Sequence, residues 1–443
     1  MKGHAYLLDI CVYVFIGLAI PAAAPIMAQT SDSGKVHASN DTGKVVLTGW
    51  GSNETGQIYH MNYSSLTPTV GIDVPRQWLM RQQVNLTGKY ECNEYFRASV
   101  GIMGRMWYDE YPVELRQPNG ADPLTPYFTV YPSVVEGVFS YNRWDKVKLG
   151  LEVGYFPYQY DSCCRNLGEY LIRSGTYPPY LVTCLDQTFI RVAGLHASVT
   201  LCDIVHLHAL LTQESEMPPF FDPSLTFLGD VNIKKVFVIG GGVMFSNFLP
   251  VDSTATESQS GTNAYVDPSL PDSTGHYTME GTKIMARASF DPKPLFKSFS
   301  DRFLGPNDLK IYSEMAILGV KDYPGYYNNL INRIPRMIGF NVPTFKALDV
   351  LALELEYNPW NYVNGYLNPV MYETAIPESD YTNTKWRWTV YAKRSLFGHC
   401  SILLMCARDH LVLPTAVTTE SSLQDICAWP NSWYWDLKFQ VML

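Results

Sequence analysis

The chain has 443 residues, 33 Lys and Arg against 42 Asp and Glu, and a net charge of −9, a balance without the basic surplus that a nucleic-acid partner demands. Its length alone would suit roughly two or three soluble domains. Composition argues otherwise: aromatics reach 14% and charged residues only 17%, while mean hydropathy is −0.07. Beyond residue 30 no apolar run is long enough for a spanning helix, which leaves a single anchor at the N-terminal apolar stretch as the one helical-membrane alternative.

Residues 1–28 read as a secretory signal. Lys2 precedes an apolar stretch from Ala5 to Ile20, then Pro21 and small residues, with cleavage expected after Ala28; Asp9 interrupts the apolar stretch. Cys11 lacks the flanking small residues of a lipoprotein cleavage site. Residues 29–43 form a polar lead rich in Ser, Thr, Gly and Asp. Export makes disulfides reasonable: nine cysteines less Cys11 leave eight, which fixes no connectivity. The sequons at Asn40, Asn53, Asn62 and Asn85 carry no weight if the host is bacterial.

From residue 44 to 443 the chain alternates. The pattern predicts strands at 44–51, 79–91, 95–109, 127–142, 146–159, 187–200, 204–213, 223–232, 235–248, 280–291, 308–320, 335–342, 348–359, 384–394, 399–411 and 433–443. That is about sixteen, an even number, and short gaps alternate with long ones as they do when tight periplasmic turns oppose long external loops. Cys92–Glu94, Arg143–Asp145 and Leu201–Asp203 are short; Asp161–Asp186, Leu249–Met279 and Val412–Ser432 are long. Pro292–Asn307 breaks the pattern with a helix-like run where a short turn is expected.

Side chains alternate across a strand, so each segment has one greasy and one wet face. Val84, Leu86 and Gly88 oppose Gln83, Asn85 and Lys89; Leu149, Leu151 and Val153 oppose Lys148 and Glu152. The last segment is the clearest. Trp433, Trp435, Leu437, Phe439, Val441 and Leu443 share one face, and Tyr434, Asp436, Lys438 and Gln440 the other, with only Met442 out of character. This ending resembles the final strand of bacterial outer-membrane β-barrels of the porin-like kind, although that strand typically closes on an aromatic residue and this one ends in Leu443. The stretch Asp308–Pro343 and the run Ala407-Arg408-Asp409-His410 resemble uncharacterised barrels of Fibrobacter-type bacteria. The resemblance implies fold and location, and no activity. The expectation is an all-β fold: a single antiparallel transmembrane β-barrel of about sixteen strands with long external loops and short periplasmic turns. Its apolar faces should meet lipid, since a charge at mid-membrane costs about 2–4 kcal/mol.

A barrel of that size leaves a lumen too wide for side chains to fill. Alternation places Lys89, Arg97, Arg105, Lys146, Lys148, Lys283, Arg287, Arg387 and Lys393 on its wall, with Glu136, Glu152, Glu314, Glu354, Glu356 and Asp436. Basic residues dominate the early strands, whereas Glu314, Glu354 and Glu356 lie across from them, an arrangement that would set a transverse field across a pore. Narrowing needs an infolded loop. Asp161–Asp186 is the candidate, with Asn166–Arg173 able to form two helical turns that put Leu167 and Leu171 on one face. Glu169 and Arg173 would then reach a constriction; an external lid over the mouth is the competing arrangement. Cys163, Cys164 and Cys184 bracket this loop, and one bridge from Cys184 would staple it for about 3 kcal/mol.

Other signals are thin. His206 and His208 share a wall face without a third metal ligand, so no metal is expected. Gly240-Gly241-Gly242 lies within a strand and suggests a bend rather than a phosphate cradle. Cys400 and Cys406 sit in apolar surroundings unlike a redox pair. No nucleophile elbow or metalloprotease helix occurs, so neither enzyme nor cofactor is expected. The functional expectation is passive diffusion of small hydrophilic solutes or ions, with membrane lipid as partner and a homo-oligomer left open. The alternative is a structural or binding barrel whose external loops meet a surface partner or polymer.

Overall fold

The computed structural model describes residues 43–63, 72–109, 127–144, 146–174, 181, 183, 190–213, 222–249, 281–320, 329–359, 385–411, 427 and 431–442. The signal, the polar lead and Cys184 therefore lie outside the described residues.

Sixteen strands follow one another: β1 (Lys44–Tyr63), β2 (Ile72–Glu91), β3 (Phe96–Asp109), β4 (Tyr127–Trp144), β5 (Val147–Tyr158), β6 (Ile190–Leu201), β7 (Val205–Gln213), β8 (Pro223–Ile233), β9 (Phe237–Ser246), β10 (Gly281–Phe290), β11 (Ile311–Ile317), β12 (Arg336–Asn341), β13 (Val350–Tyr357), β14 (Trp386–Leu396), β15 (Cys400–Arg408) and β16 (Trp433–Met442). Each pairs antiparallel with its sequence neighbours, and β16 closes on β1 through pairs such as Glu54↔Lys438 and Thr55↔Leu437. The ring has no open edge, which removes the unpaired backbone groups that neither hydrocarbon nor a monomeric sheet tolerates.

The faces sort as the alternation requires. Val84, Leu86, Val100, Ile102, Phe227, Ile239, Leu353, Leu404 and Leu437 are exposed on the outside, while Glu54, Arg81, Lys283, Glu314, Glu354, Arg387 and Asp436 are buried inside. A water-soluble protein does the reverse, so the outer surface is built for hydrocarbon. Aromatic residues ring both ends: Tyr59 stacks on Trp433 at 4.6 Å and Tyr357 meets Trp386 at 5.0 Å on the long-loop side. Tyr95, Tyr141 and Trp144 cluster on the short-turn side. Such girdles mark the two membrane interfaces.

One feature departs from the sequence reading. β1 and β2 run on, with 52–63 and 72–78 paired instead of forming a loop, and β1 up to Tyr59 also paired with β16. There Asn53, Thr55 and Gln57 alternate with Glu54 and Gly56, so both faces are polar and the period-two hydropathy signal vanishes although the pairing continues. The connection after β10 is helical, as its residues suggested: Lys293–Phe296 forms a 3₁₀ turn that runs into α1 (Lys297–Phe303).

Gly154 of β5 faces Gly194 of β6. Both have positive φ (132° and 155°), and a Cβ at Gly154 would lie 2.0 Å from the Val135 carbonyl oxygen. Gly154→Val is expected to cost more than about 2 kcal/mol, since it adds backbone strain to a clash with a rigid neighbour. An unchanged midpoint in urea unfolding from lipid vesicles would refute this.

Candidate functional site: a loop docked on the inner wall

The chain leaving β5 at Tyr158 turns back into the barrel instead of covering its mouth. It first binds to itself. The Gln159 amide donates to the carbonyls of Asp161 (3.0 Å) and Cys164 (3.2 Å), and Asp161 accepts the Cys163 N–H at 2.9 Å. Residues 170–173 make one helical turn, not two, with Leu167 and Leu171 both buried. Gly168 has φ 89° and Glu169 φ 61°, two successive left-handed residues that reverse the backbone against the wall. A left-handed glutamate costs about 1 kcal/mol or more and persists only where neighbours hold it.

What holds it is a set of wall carboxylates. Glu354 on β13 accepts the N–H groups of Arg165 (2.6 Å), Asn166 (2.9 Å) and Leu167 (2.8 Å), and the Tyr312 hydroxyl at 2.7 Å. Glu314 on β11 accepts the N–H groups of Glu169 (3.0 Å) and Tyr170 (2.8 Å), and the Tyr160 hydroxyl at 2.6 Å. Glu356 accepts the Tyr170 hydroxyl at 2.8 Å and meets His410 Nε2 at 2.5 Å. The Asn166 amide reaches Asp409 and Thr389, while Lys283 donates to the Ser174 carbonyl at 2.7 Å. An ionised carboxylate offers about four lone-pair sites, so Glu354 is saturated and Glu314 nearly so. The acidic arc expected to project a field into a pore is thus a docking strip for the loop. Alternation identifies the face of a residue and says nothing of what lands on it.

Glu169 and Arg173 are both buried. Glu169 accepts the N–H of Tyr160 and of Asp161, and Arg173 donates to the Asn166 carbonyl. Burial pushes the Glu169 carboxyl well above its usual range; Glu314 adds to the rise, while Arg173 and the Asp161 N–H oppose it. A raised folded-state value means docking is firmest below the ordinary carboxylate pKa and weakens as pH climbs through the raised one. Any conductance limited by the loop is therefore expected to grow as pH rises above about 4.5. Glu169→Gln should flatten that dependence in a bilayer pH series, and a flat wild-type profile would dispose of the idea.

Of the remaining wall candidates, Lys89, Arg97 and Lys148 are exposed near the turn side, with Lys148 bonded to Asp203 at 2.6 Å. That bond holds the Asp203 carboxyl below its usual range. Lys146 sits in the turn before β5. Arg105 lies over the Tyr131 ring at 5.2 Å. Arg287 pairs with Asp230 (2.7 Å) and Asp161 (3.3 Å), tying the loop root to β8 and β10. Glu136, Arg387, Lys393 and Asp436 share the inward phase of their strands, Arg387 and Asp436 deeply buried. Cys163 and Cys164 carry free thiols. Burial pushes Cys163 up to about 11 and Cys164 well above the usual thiol value, so neither is a ready nucleophile.

His206 and His208 share the inward face but bind different partners. His206 meets Asp230 at 2.9 Å, whereas His208 stacks on His196 of the next strand with ring nitrogens 2.9 Å apart, and Glu152 holds the far side of His196 at 3.2 Å. Sequence reasoning missed His196, Asp230, Asp409, His410, Tyr160, Tyr170 and Asn166. Only strand register and the path of the loop bring them together.

The fold and this lumen define a porin-like barrel: closed, sixteen-stranded, with an internal loop. No family model matches the chain, and no curated protein matches it. Among solved structures it is similar to OprB of Pseudomonas putida in its high-pH form (TM-score 0.49, 9% identity, 90% of this chain and 94% of that one). It is also similar to Salmonella typhi OmpF in complex with daunomycin (TM-score 0.43, 9% identity, 92% and 99%). A mutant Rh. blastica porin is a third (TM-score 0.41, 9% identity, 90% and 100%). The closed ring rests on the strand pairing of this chain, and none of these structures bears on the Fibrobacter-type likeness.

Proposed function

We propose that the protein is a channel of the bacterial outer membrane, passing small hydrophilic solutes or ions by diffusion through the space beside its infolded loop. The observation that carries this reading is the loop itself: five backbone N–H groups fixed by two wall carboxylates, on the inside of a ring whose outside is apolar. Because the docked loop occupies Glu314 and Glu354, the permeation path runs along the opposite wall, past Lys89, Arg97 and Arg105, with Glu136 and Glu152 partly offsetting them and Lys148 neutralised by Asp203. The passage is therefore anion-preferring despite the net charge of −9. Stable ohmic steps in a planar bilayer, with a reversal potential under a salt gradient on the anion side, are the expected record. Cation preference would refute the path.

The second reading is a loop-plugged barrel that serves as a structural or binding surface through its external loops. Deep burial of Lys283, Arg387 and Asp436 favours it, since charges lining open water would be exposed. The same recording separates the two, because a plugged barrel gives no steps. Neither reading includes a covalent step, and protomer assembly is left open.

A further inference from the structure

The helical connection between β10 and β11 carries an apolar face with no protein cover among the described residues. Leu295 is 69%, Phe299 53% and Phe303 44% exposed. The three phenylalanines at 296, 299 and 303 follow helical spacing and touch in sequence, their rings 6.3 Å and then 5.0 Å apart. The opposite side is fastened to the rim. Ser300 and Leu304 are buried, Lys293 Nζ donates to the Asp308 carbonyl at 2.6 Å, and Lys346 Nζ to the carbonyls of Asp301 (2.9 Å) and Arg302 (3.1 Å). The segment is thus held in place with its phenylalanines turned outward.

Two observations say what covers them. The first is continuity with the lipid-facing belt. Phe290, the last residue of β10, stacks on Phe237 at 4.7 Å, and Ile311 opens β11 with its side chain exposed, so apolar surface runs from the wall into the helix and back. The second is charge. Lys293 is neutralised by Asp291 at 3.0 Å, but Lys297 and Arg302 edge the phenylalanine row with Asp301 as the one acid of the helix, and the Arg302 guanidinium lies 5.2 Å from the Phe303 ring centre. A phenylalanine row edged by cations fits the boundary between acyl chains and phosphates.

We propose that this helix lies flat in the phospholipid leaflet on the short-turn side, with Phe296, Phe299 and Phe303 among the upper acyl carbons and Lys297 and Arg302 on anionic phosphates. The proposal rests on the membrane reading above and adds a specific lipid contact to it. It is tested with the full chain in vesicles of phosphatidylethanolamine and phosphatidylglycerol. p-Benzoylphenylalanine replaces Phe299 in one preparation and Leu437, in the outer belt, in another. Ultraviolet illumination is expected to yield phospholipid adducts at both positions. Adducts at 437 with none at 299, or crosslinks from 299 to a second copy, would overturn the inference and leave the barrel in its membrane; adducts at neither would remove the membrane reading itself. With the label at 299, Lys297→Gln and Arg302→Gln are each expected to lower the phosphatidylglycerol adduct about fivefold, the effect of one basic group beside an anionic surface. Yields unchanged by both would overturn the headgroup contact.

Discussion

Replacing Glu354 with alanine is expected to open the channel. Three backbone N–H groups of the loop and one tyrosine hydroxyl share this carboxylate inside the barrel. Its removal leaves those donors without an acceptor, at about 1–3 kcal/mol for each that finds no water. A net loss of about 3 kcal/mol in docking would raise the undocked fraction roughly a hundredfold. Single-channel recordings should then show larger or more frequently open states, while the unfolding midpoint falls by no more than the docking energy lost, because the strand pairing does not involve the Glu354 side chain. Glu354→Gln retains one acceptor oxygen and should fall between. Equal conductance in wild type and the alanine variant would mean that the loop does not limit flow.

Leu437→Arg is expected to cost about 2–4 kcal/mol, the penalty for a cation near the bilayer midplane. Leu437 sits mid-strand in β16 with its side chain outward, beside Phe439. Lys89→Glu, on the inward face near the rim, also changes charge but should move stability by no more than about 0.5 kcal/mol. Urea unfolding from phospholipid vesicles, followed by tryptophan emission, measures both. Equal stability of Leu437→Arg and wild type would place that face in water and end the lipid assignment.

Legibility followed the strength of local contrast. β16 could be read residue by residue because Trp433, Trp435, Leu437 and Phe439 alternate with Tyr434, Asp436 and Lys438, and the structure turns the second set inward. The continuation of β1 and β2 was missed over 52–63 because Asn53, Thr55 and Gln57 give it no apolar face; only pairs such as Glu54↔Arg81 and Glu54↔Lys438 reveal it. Around the loop, helical periodicity drew attention to Glu169 and Arg173 as residues reaching a constriction, and the structure buries both. The carboxylates that receive the loop, Glu314 and Glu354, were also singled out, but as free wall charges.

The sequence by itself determined that this is a ring of antiparallel strands with oil outside and charge inside. That information is local, since a period of two residues assigns each side chain to a face, and alternating gap lengths assign each connection to a rim. Only the tertiary structure decided where the fifth strand's loop goes and which carboxylates receive it. Asn166 and Glu354 are 188 residues apart, and Glu169 and Glu314 are 145 apart. No local pattern encodes such a meeting; it exists because barrel closure sets β11 and β13 across the lumen from nothing but the returning chain, whose unpaired N–H groups need acceptors.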